Sequence, residues 1–80
     1  MKTPTVSYDR AVQAVYVRLS DRPYDHGHDL GAARHVNYAA DGTPIGVEFL
    51  DVDEGINLDD VPEHDLIAEA LKPLGLKVYA

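Results

Sequence analysis

Two segments of the chain each carry the pattern of a pair of β-strands joined by a short turn, and they constrain the fold more than any other feature. The first covers residues 7–20 and the second residues 37–51. In both, apolar and polar side chains alternate with the periodicity of a strand that buries one face. Asp41-Gly42 is the strongest turn signal in the chain, since glycine tolerates the positive φ of a tight two-residue hairpin. The two segments therefore predict a sheet.

The alternation also sets the bounds of the strands. A turn at residues 9–11 separates the first strand from the second, and a loop from Ser20 to Gly31, broken by Pro23, precedes the third. That loop is the longest irregular stretch, and loops of such length often carry function. The predicted strands cover residues 5–8, 12–19, 32–38 and 44–52.

A helical pattern follows the strands. Residues 60–63, Asp-Val-Pro-Glu, are typical of a helix start, with the aspartate as N-cap, proline in the first turn and the glutamate completing a capping box. The helix is predicted over residues 60–75, where Pro73 and Gly75 end it. Its apolar stripe consists of Leu66, Ile67, Ala70, Leu71 and Leu74. Residues 76–79 predict a short strand that completes a sheet edge or reaches a neighbouring subunit.

The predicted architecture is α+β: an antiparallel meander of about four strands (residues 5–52) packs one face against the C-terminal helix. The length of 80 residues suits a single domain, residues 1–80. A chain of this length buries only about 60–65% of the surface that its unfolded form exposes. A homodimer would enlarge the small core and cover the edge strands 5–8 and 76–79, so we expect one.

The composition excludes several kinds of protein. The chain has no cysteine, which rules out disulfides, a thiol nucleophile and a thiolate metal site. Met1-Lys2-Thr3-Pro4 leads into a strand pattern without the apolar core of a signal peptide. No apolar run approaches the roughly 18–20 residues that cross a bilayer. We therefore expect a cytoplasmic protein that does not bind membranes.

The charge is unevenly placed along the chain. Residues 1–47 hold five acidic and five basic residues, whereas residues 48–80 hold nine acidic residues and two lysines, and so carry the whole net charge of −7. Phosphate contacts need lysine and arginine, so we expect no nucleic-acid binding. The excess favours a basic protein partner, and the predicted partner surface consists of Asp51, Asp53, Glu54, Asp59 and Asp60. The alternative is a solvated acidic surface that keeps a small protein in solution.

Four short motifs resemble, as a set, the family called domain of unknown function 2283. They are Tyr8-Asp9, Ala-Val-Tyr-Val-Arg-Leu at 14–19, Asn-Tyr-Ala-Ala-Asp-Gly at 37–42 and Ile-Gly-Val-Glu-Phe-Leu at 45–50. The resemblance covers about residues 5–52, and Gln13 stands where the family often carries an acidic residue. It implies a small β-rich domain of mostly prokaryotic occurrence and brings no established activity. Some members look like partners of small toxin-like proteins encoded beside them, which implies a protein partner here.

Asp25-His26-Gly27-His28-Asp29 is the densest group of potential metal ligands. Two histidines on an extended segment can point to one side, with an aspartate supplying oxygen. His35 and His64 complete such a site only if the fold brings them near. Because nothing fixes this loop and no helical His-x-x-x-His is present, we expect solvated histidines, no tight metal site and no cofactor.

Glu48 is the candidate for a carboxylate in a cleft. It follows Gly46 on a predicted strand, and with Tyr16 and Arg18 it forms a predicted ligand cleft. A carboxylate in such a place can act as an acid or base. The alternative, which we favour, is a cross-strand ion pair with Arg18 or Arg34.

Two functional interpretations result. The first is a non-catalytic protein-interaction module, specifically one that neutralises a basic toxin-like protein. The second is a small ligand-binding domain or enzyme that uses Glu48 and nearby polar strand residues. The chain has no serine in a nucleophile-elbow motif and no phosphate-binding glycine loop, so we favour the first.

Overall fold

The computed structural model describes residues 3–80, so Met1 and Lys2 lie outside the described residues. The secondary structure confirms the α+β class. Its elements are β1 (Thr5–Asp9), β2 (Ala14–Arg18), β3 (His26–Asp29), β4 (Arg34–Tyr38), β5 (Pro44–Phe49), β6 (Ile56–Asn57), α1 (His64–Leu71) and β7 (Val78–Tyr79). Short 3-10 turns follow β5 and α1, at Val52–Glu54 and Lys72–Leu74.

The main sheet is antiparallel, with five strands in the order β1-β2-β5-β4-β3. The predicted meander is therefore wrong in its strand order, because β2 lies beside β5 and not beside the strand that follows it. Val15 pairs with Phe49 and Val17 with Val47, so the most apolar stretches of the chain meet at the sheet centre. This pairing buries all four side chains, which is the physical reason for the order.

The fifth strand, β3, lies within the predicted loop. His26–Asp29 pairs with β4 through backbone contacts, and all four of its residues are exposed. The Asp25 N–H donates to the Tyr38 carbonyl at 2.9 Å and the Leu30 N–H to the Arg34 carbonyl at 2.9 Å, which fixes both ends of the strand. No hydrophobic pattern marks a strand of this kind, and for this reason the prediction of a loop was wrong.

Both predicted hairpins are present, but their turns are longer than expected. Val12 is 64% exposed and lies in the first turn, where Gln13 takes a positive φ of 55°, so β2 starts only at Ala14. In the second hairpin the Ala39 N–H donates to the Thr43 carbonyl at 2.9 Å, and this bond encloses three residues instead of two.

One face of the sheet, the inner face, packs against α1. The helix buries Ile67 and Leu71 of its predicted stripe, while the remaining members are half-buried. The core is a single cluster formed by Val15, Val17, Val36, Val47, Phe49, Val52, Ile56, Leu58, Val61, Ile67 and Leu71. The segment between sheet and helix thus contributes as directly to the core as the helix does.

The helix starts later than predicted. Its N-cap is Glu63, in a left-handed conformation with φ 56° and without a side-chain capping bond. The predicted N-cap, Asp60, lies in a preceding turn with φ 62°, so the predicted capping box is absent. Val61 is only 3% exposed. Burying this valine holds residues 59–62 in a turn instead of a first helical turn.

The C-terminal strand β7 pairs with β6 in a separate, parallel two-stranded sheet. The Ile56 N–H donates to the Lys77 carbonyl and the Leu58 N–H to the Tyr79 carbonyl, both at 2.7 Å. The prediction that residues 76–79 complete an edge of the main sheet is therefore wrong, and contact of this strand with a neighbouring subunit stays a prediction. Over residues 3–80, no helix has both the length and the apolar character of a membrane crossing.

Candidate functional site

A cleft of about 390 Å³ opens where the end of β5 meets the β6–β7 pair. Three segments line it: the turn that joins β3 to β4, the segment from Leu50 to Asn57 that follows β5, and Tyr79. Phe49 and Ile56, each 1% exposed, also line it, while Leu50 and Tyr79 are 40% and 46% exposed. The cleft therefore offers apolar surface to a ligand.

Backbone hydrogen bonds fix the walls of this cleft. The Leu50 N–H donates to the Ala33 carbonyl at 2.8 Å, and the Val52 N–H donates to the Gln13 carbonyl at 3.1 Å. Between them the chain turns sharply at Asp51, which has a left-handed conformation with φ 52° and ψ 41°. Gln13 thus ties the first hairpin to the turn that follows β5. Backbone hydrogen bonds between segments distant in sequence therefore hold the walls of the site in place.

Two carboxylates that have no ion-pair partner among residues 3–80 line the cleft. Asp51 and Glu54 are both exposed, and within the described part of the chain neither forms an ion pair. Two such groups in one cleft favour a positively charged ligand.

Arg34 also lines the cleft, but its guanidinium is already occupied. It donates to the carbonyls of Leu30 at 2.9 Å and Asn57 at 3.4 Å, and to that of Asp59. It lies opposite Phe49, on the same side of β4 as the buried Val36. Arg34 therefore joins the sheet to the segment after β6, and this place in the site was not predicted from the sequence. The alternation of Arg34 with Val36 along β4 was the signal in the sequence that the Arg34 side chain faces inward.

The five residues of the predicted partner surface are all exposed. Asp51 and Glu54 line the cleft, and Asp53 lies between them in the 3-10 turn. Asp59 and Asp60 lie in the turn after β6, which Arg34 holds through the Asp59 carbonyl. The structure thus divides the predicted surface into a group at the cleft and a pair in the next turn.

The predicted ligand cleft lies on the outer face of the main sheet, opposite the helix. Tyr16 is the Cα partner of Glu48, and Arg18 is the partner of Gly46. The Tyr16 ring lies across Gly46, so close that a Cβ at this glycine would lie 1.9 Å from Oη. The Asn37 amide contacts the same hydroxyl at 3.5 Å.

Glu48 is exposed, and the predicted cross-strand ion pair is wrong. Its Cα partners are Tyr16 and His35, while Arg34 faces the opposite side of the sheet. No ion pair of Glu48 occurs among residues 3–80. It lines a shallow depression of about 210 Å³ together with Asp29 and His35. The His35 Nδ1 lies 2.5 Å from the Asp29 carboxylate.

The histidines do not converge. His26 stacks on Tyr38 with ring centroids 5.3 Å apart, and its Nδ1 lies 2.8 Å from the Asp25 carboxylate. His26 and His28 alternate with Gly27, whereas His35 projects from the other face beside Asp29. In the part of the chain that the structure describes, no three potential metal ligands come together.

Fold and site together define a small α+β protein with an acidic cleft at one end of its sheet. The family described as protein of unknown function (DUF2283) matches residues 5–59, more than two thirds of the chain. The chain belongs to this family. The match extends past the predicted residues 5–52 and includes the main sheet and the 3-10 turn at the cleft. No curated protein and no solved structure matches the chain.

Proposed function

We propose that this protein is a non-catalytic interaction domain that binds a basic protein partner through its acidic surface, defined as Asp51, Asp53, Glu54, Asp59 and Asp60. The observation that carries the proposal is the exposure of all five acidic residues in two successive turns of the chain, the first of which borders a cleft with fixed walls. Clusters of one sign steer the association of oppositely charged proteins.

The alternative, a ligand-binding domain or enzyme built on Glu48, Tyr16 and Arg18, has less support. These residues lie on the outer face of the sheet, and Glu48 and Arg18 are exposed to water. Electrostatic catalysis depends on sites from which water is excluded. The proposal therefore places the function at the cleft end of the sheet.

The more specific form of the proposal concerns the kind of partner. A small basic toxin-like protein, encoded beside this one, would be neutralised when the acidic surface covers its basic residues. The support is the net charge of −7, all of it carried by residues 48–80, together with the suggested neighbours of the family.

The test begins with capture of the partner from the native cell and continues with the kinetics of association. Replacement of Asp53 and Glu54 with lysine should slow association, because it reverses charge at the centre of the acidic surface. Raising the salt concentration should slow the wild-type rate as well, since exposed charges are screened beyond about 8 Å at physiological ionic strength.

The matched control is replacement of Asp65 and Glu69 with lysine. Both are exposed on α1, so the change in net charge is identical but lies on another surface. Circular dichroism verifies that both variants fold. An association rate indifferent to salt and to the first variant would refute the proposed function.

A further inference from the structure

The cleft exposes large hydrophobic side chains as well as carboxylates, and an acidic surface that only keeps the protein in solution would not require them. Among residues 3–80, the exposed large hydrophobic side chains are Val12, Tyr24, Leu50 and Tyr79, and the last two line this one cleft. Exposed apolar groups gathered in a concave site are typical of a binding surface.

The cleft is also formed before any ligand arrives. Leu50 is tied to Ala33, Val52 to Gln13 and Ile56 to Lys77 by backbone hydrogen bonds of 2.7–3.1 Å. A ligand would not have to order these walls, so little of its interaction energy would be lost on binding. A volume of about 390 Å³ lies at the lower end of the range of ligand sites, which suits a few side chains of a peptide.

The free charge in the cleft is negative. The lining holds two acidic side chains, Asp51 and Glu54, and one basic side chain, Arg34, so its net charge is −1. The Arg34 guanidinium donates to three backbone carbonyls and forms no ion pair with either carboxylate. Lys77 lies close by, with Nζ 5.8 Å from the centre of the Tyr79 ring, but does not line the cleft. The complementary ligand therefore combines apolar surface with positive charge.

We propose that the cleft binds an apolar side chain adjacent to an arginine or lysine, on an exposed segment of a protein partner. The apolar side chain contacts Leu50 and Tyr79, and the cation lies against Asp51 and Glu54. This inference rests on the proposed function and narrows it, because it assigns one defined part of the acidic surface as the place of binding.

The test uses a blocked pentapeptide, Gly-Arg-Leu-Arg-Gly, titrated into the isotope-labelled protein and followed by amide chemical shifts. The expected shifts lie in residues 31–34, 50–55 and 79. Replacing the leucine with serine, or both arginines with glutamate, should each weaken binding by about tenfold or more. The inference is overturned if the peptide causes no shifts up to millimolar concentration, or shifts centred elsewhere. Shifts in the cleft that appear on concentrating the protein alone would also overturn it, because they would assign the cleft to a second copy of this chain.

Two charge-matched variants separate the cleft from the rest of the acidic surface. Asp51→Asn with Glu54→Gln removes the charges that line the cleft. Asp53→Asn with Asp60→Asn removes two charges of the acidic surface that do not line the cleft. Asparagine tolerates the left-handed conformation of Asp51 and Asp60, so both variants should fold.

The first variant should weaken peptide binding by about tenfold and the second by less than about twofold. Equal losses would refute the inference but leave the proposed function standing, since general attraction to the acidic surface would then explain the binding. The proposed function itself fails only in the kinetic experiment with the natural partner, so the two failures are distinguishable.

Discussion

Gly42 holds the turn between β4 and β5 in a conformation that a side chain opposes. Its φ is 87°, and a Cβ built at this position has no neighbouring atom within 4 Å. Glycine is thus required here for its backbone conformation, and not because a side chain would collide with another residue. Gly42→Val should lower the free energy of unfolding by more than about 1 kcal/mol, measured by chemical denaturation. Gly42→Asn is the control and should cost less, since asparagine tolerates positive φ. An unchanged midpoint in the valine variant would refute this assignment.

Asp41 in the same turn gives a prediction for pH. The Thr43 N–H donates to the Asp41 carboxylate at 3.0 Å and, with the Thr43 hydroxyl, holds its pKa below the ordinary value of 3.8. The Arg22 guanidinium, 2.6 Å away, lowers the pKa further. Because the pKa is depressed in the folded state, the stabilisation is present above pH 3.8 and is lost as the pH falls through the folded value.

A carboxyl NMR titration measures this pKa directly. In Arg22→Ala the pKa of Asp41 should rise slightly but stay below 3.8, because the hydrogen bonds from Thr43 lower it more than the charge of Arg22 does. A return to 3.8 in that variant would show that Arg22, and not the turn backbone, sets the pKa.

These residue-scale features differ in how far the sequence could predict them. The positive φ of Gly42 was predictable, since Asp-Gly between two apolar strands is a local signal. The positive φ of Gln13, Asp51 and Glu63 was not. These side chains carry no preference that demands it, and the tertiary contacts of neighbouring residues impose it.

At the scale of the elements, the central strands β2 and β5 are joined on the outer face by one aromatic ring over one glycine. A methyl group at Gly46 would lie 1.9 Å from the Tyr16 Oη and 2.4 Å from its Cζ. Gly46→Ala must therefore displace the ring, which then loses its packing on β5 and its contact with Asn37. We expect a measurable loss of stability in this variant.

A double-mutant cycle tests the cause. In a Tyr16→Ala background the cost of Gly46→Ala should largely vanish, giving a coupling energy of about 1 kcal/mol or more. Thermal or chemical unfolding of the four proteins provides the values. Additive effects would mean that Gly46 is required by the strand backbone and not by the ring.

The sequence predicted the buried strands well because their apolar alternation reflects the core itself. Val15, Val17, Val47 and Phe49 were all placed in strands, and all are buried. It missed β3, whose residues face water on both sides, and it misplaced the helix start because Val61 enters the core. Periodicity thus identifies an element where one side is buried, and fails where backbone pairing alone forms it.

Among residues 3–80, no strand pairs with the outer edge of β1, which ends the main sheet. If two copies pair antiparallel about Ser7, each Val6 lies opposite Tyr8 of the other copy, on the apolar side of the strand. Both side chains are half-buried in one chain and pack against the core. We therefore predict a homodimer through β1, with a continuous sheet across both copies.

Sedimentation at micromolar concentration measures the assembly. Ser7→Lys should dissociate the dimer, because the two lysines would lie opposite each other at the two-fold axis. A lysine at Gly27, on the opposite edge of the sheet, cannot serve as the control, since a Cβ there would collide with His35. Arg18→Ser, an exposed change on the neighbouring strand, is a suitable control. A wild-type protein that sediments only as an 8.8 kDa monomer contradicts the prediction.

The candidate site was predictable only in part. The charge excess after residue 47 identified Asp51 and Glu54 as surface residues. The cleft beside them depends on contacts with Ala33 and Gln13 and on the pairing of β6 with β7, all distant in sequence. A local sequence pattern contains no information on such contacts. Composition could therefore suggest a basic partner, but it could not predict the cleft.

The strand order has a consequence for how the chain folds. The β1–β2 hairpin and the β3–β4–β5 unit each pair strands that follow one another, so each can form from local contacts. Only the pairing of β2 with β5 joins these two halves of the main sheet. The entropy of closing a long loop, which grows as about 1.5RT ln n, is thus concentrated in a single docking step. We therefore expect this step to limit the rate at which the sheet forms, because the contacts that compensate for it, Val15 with Phe49 and Val17 with Val47, form only once the two halves have met.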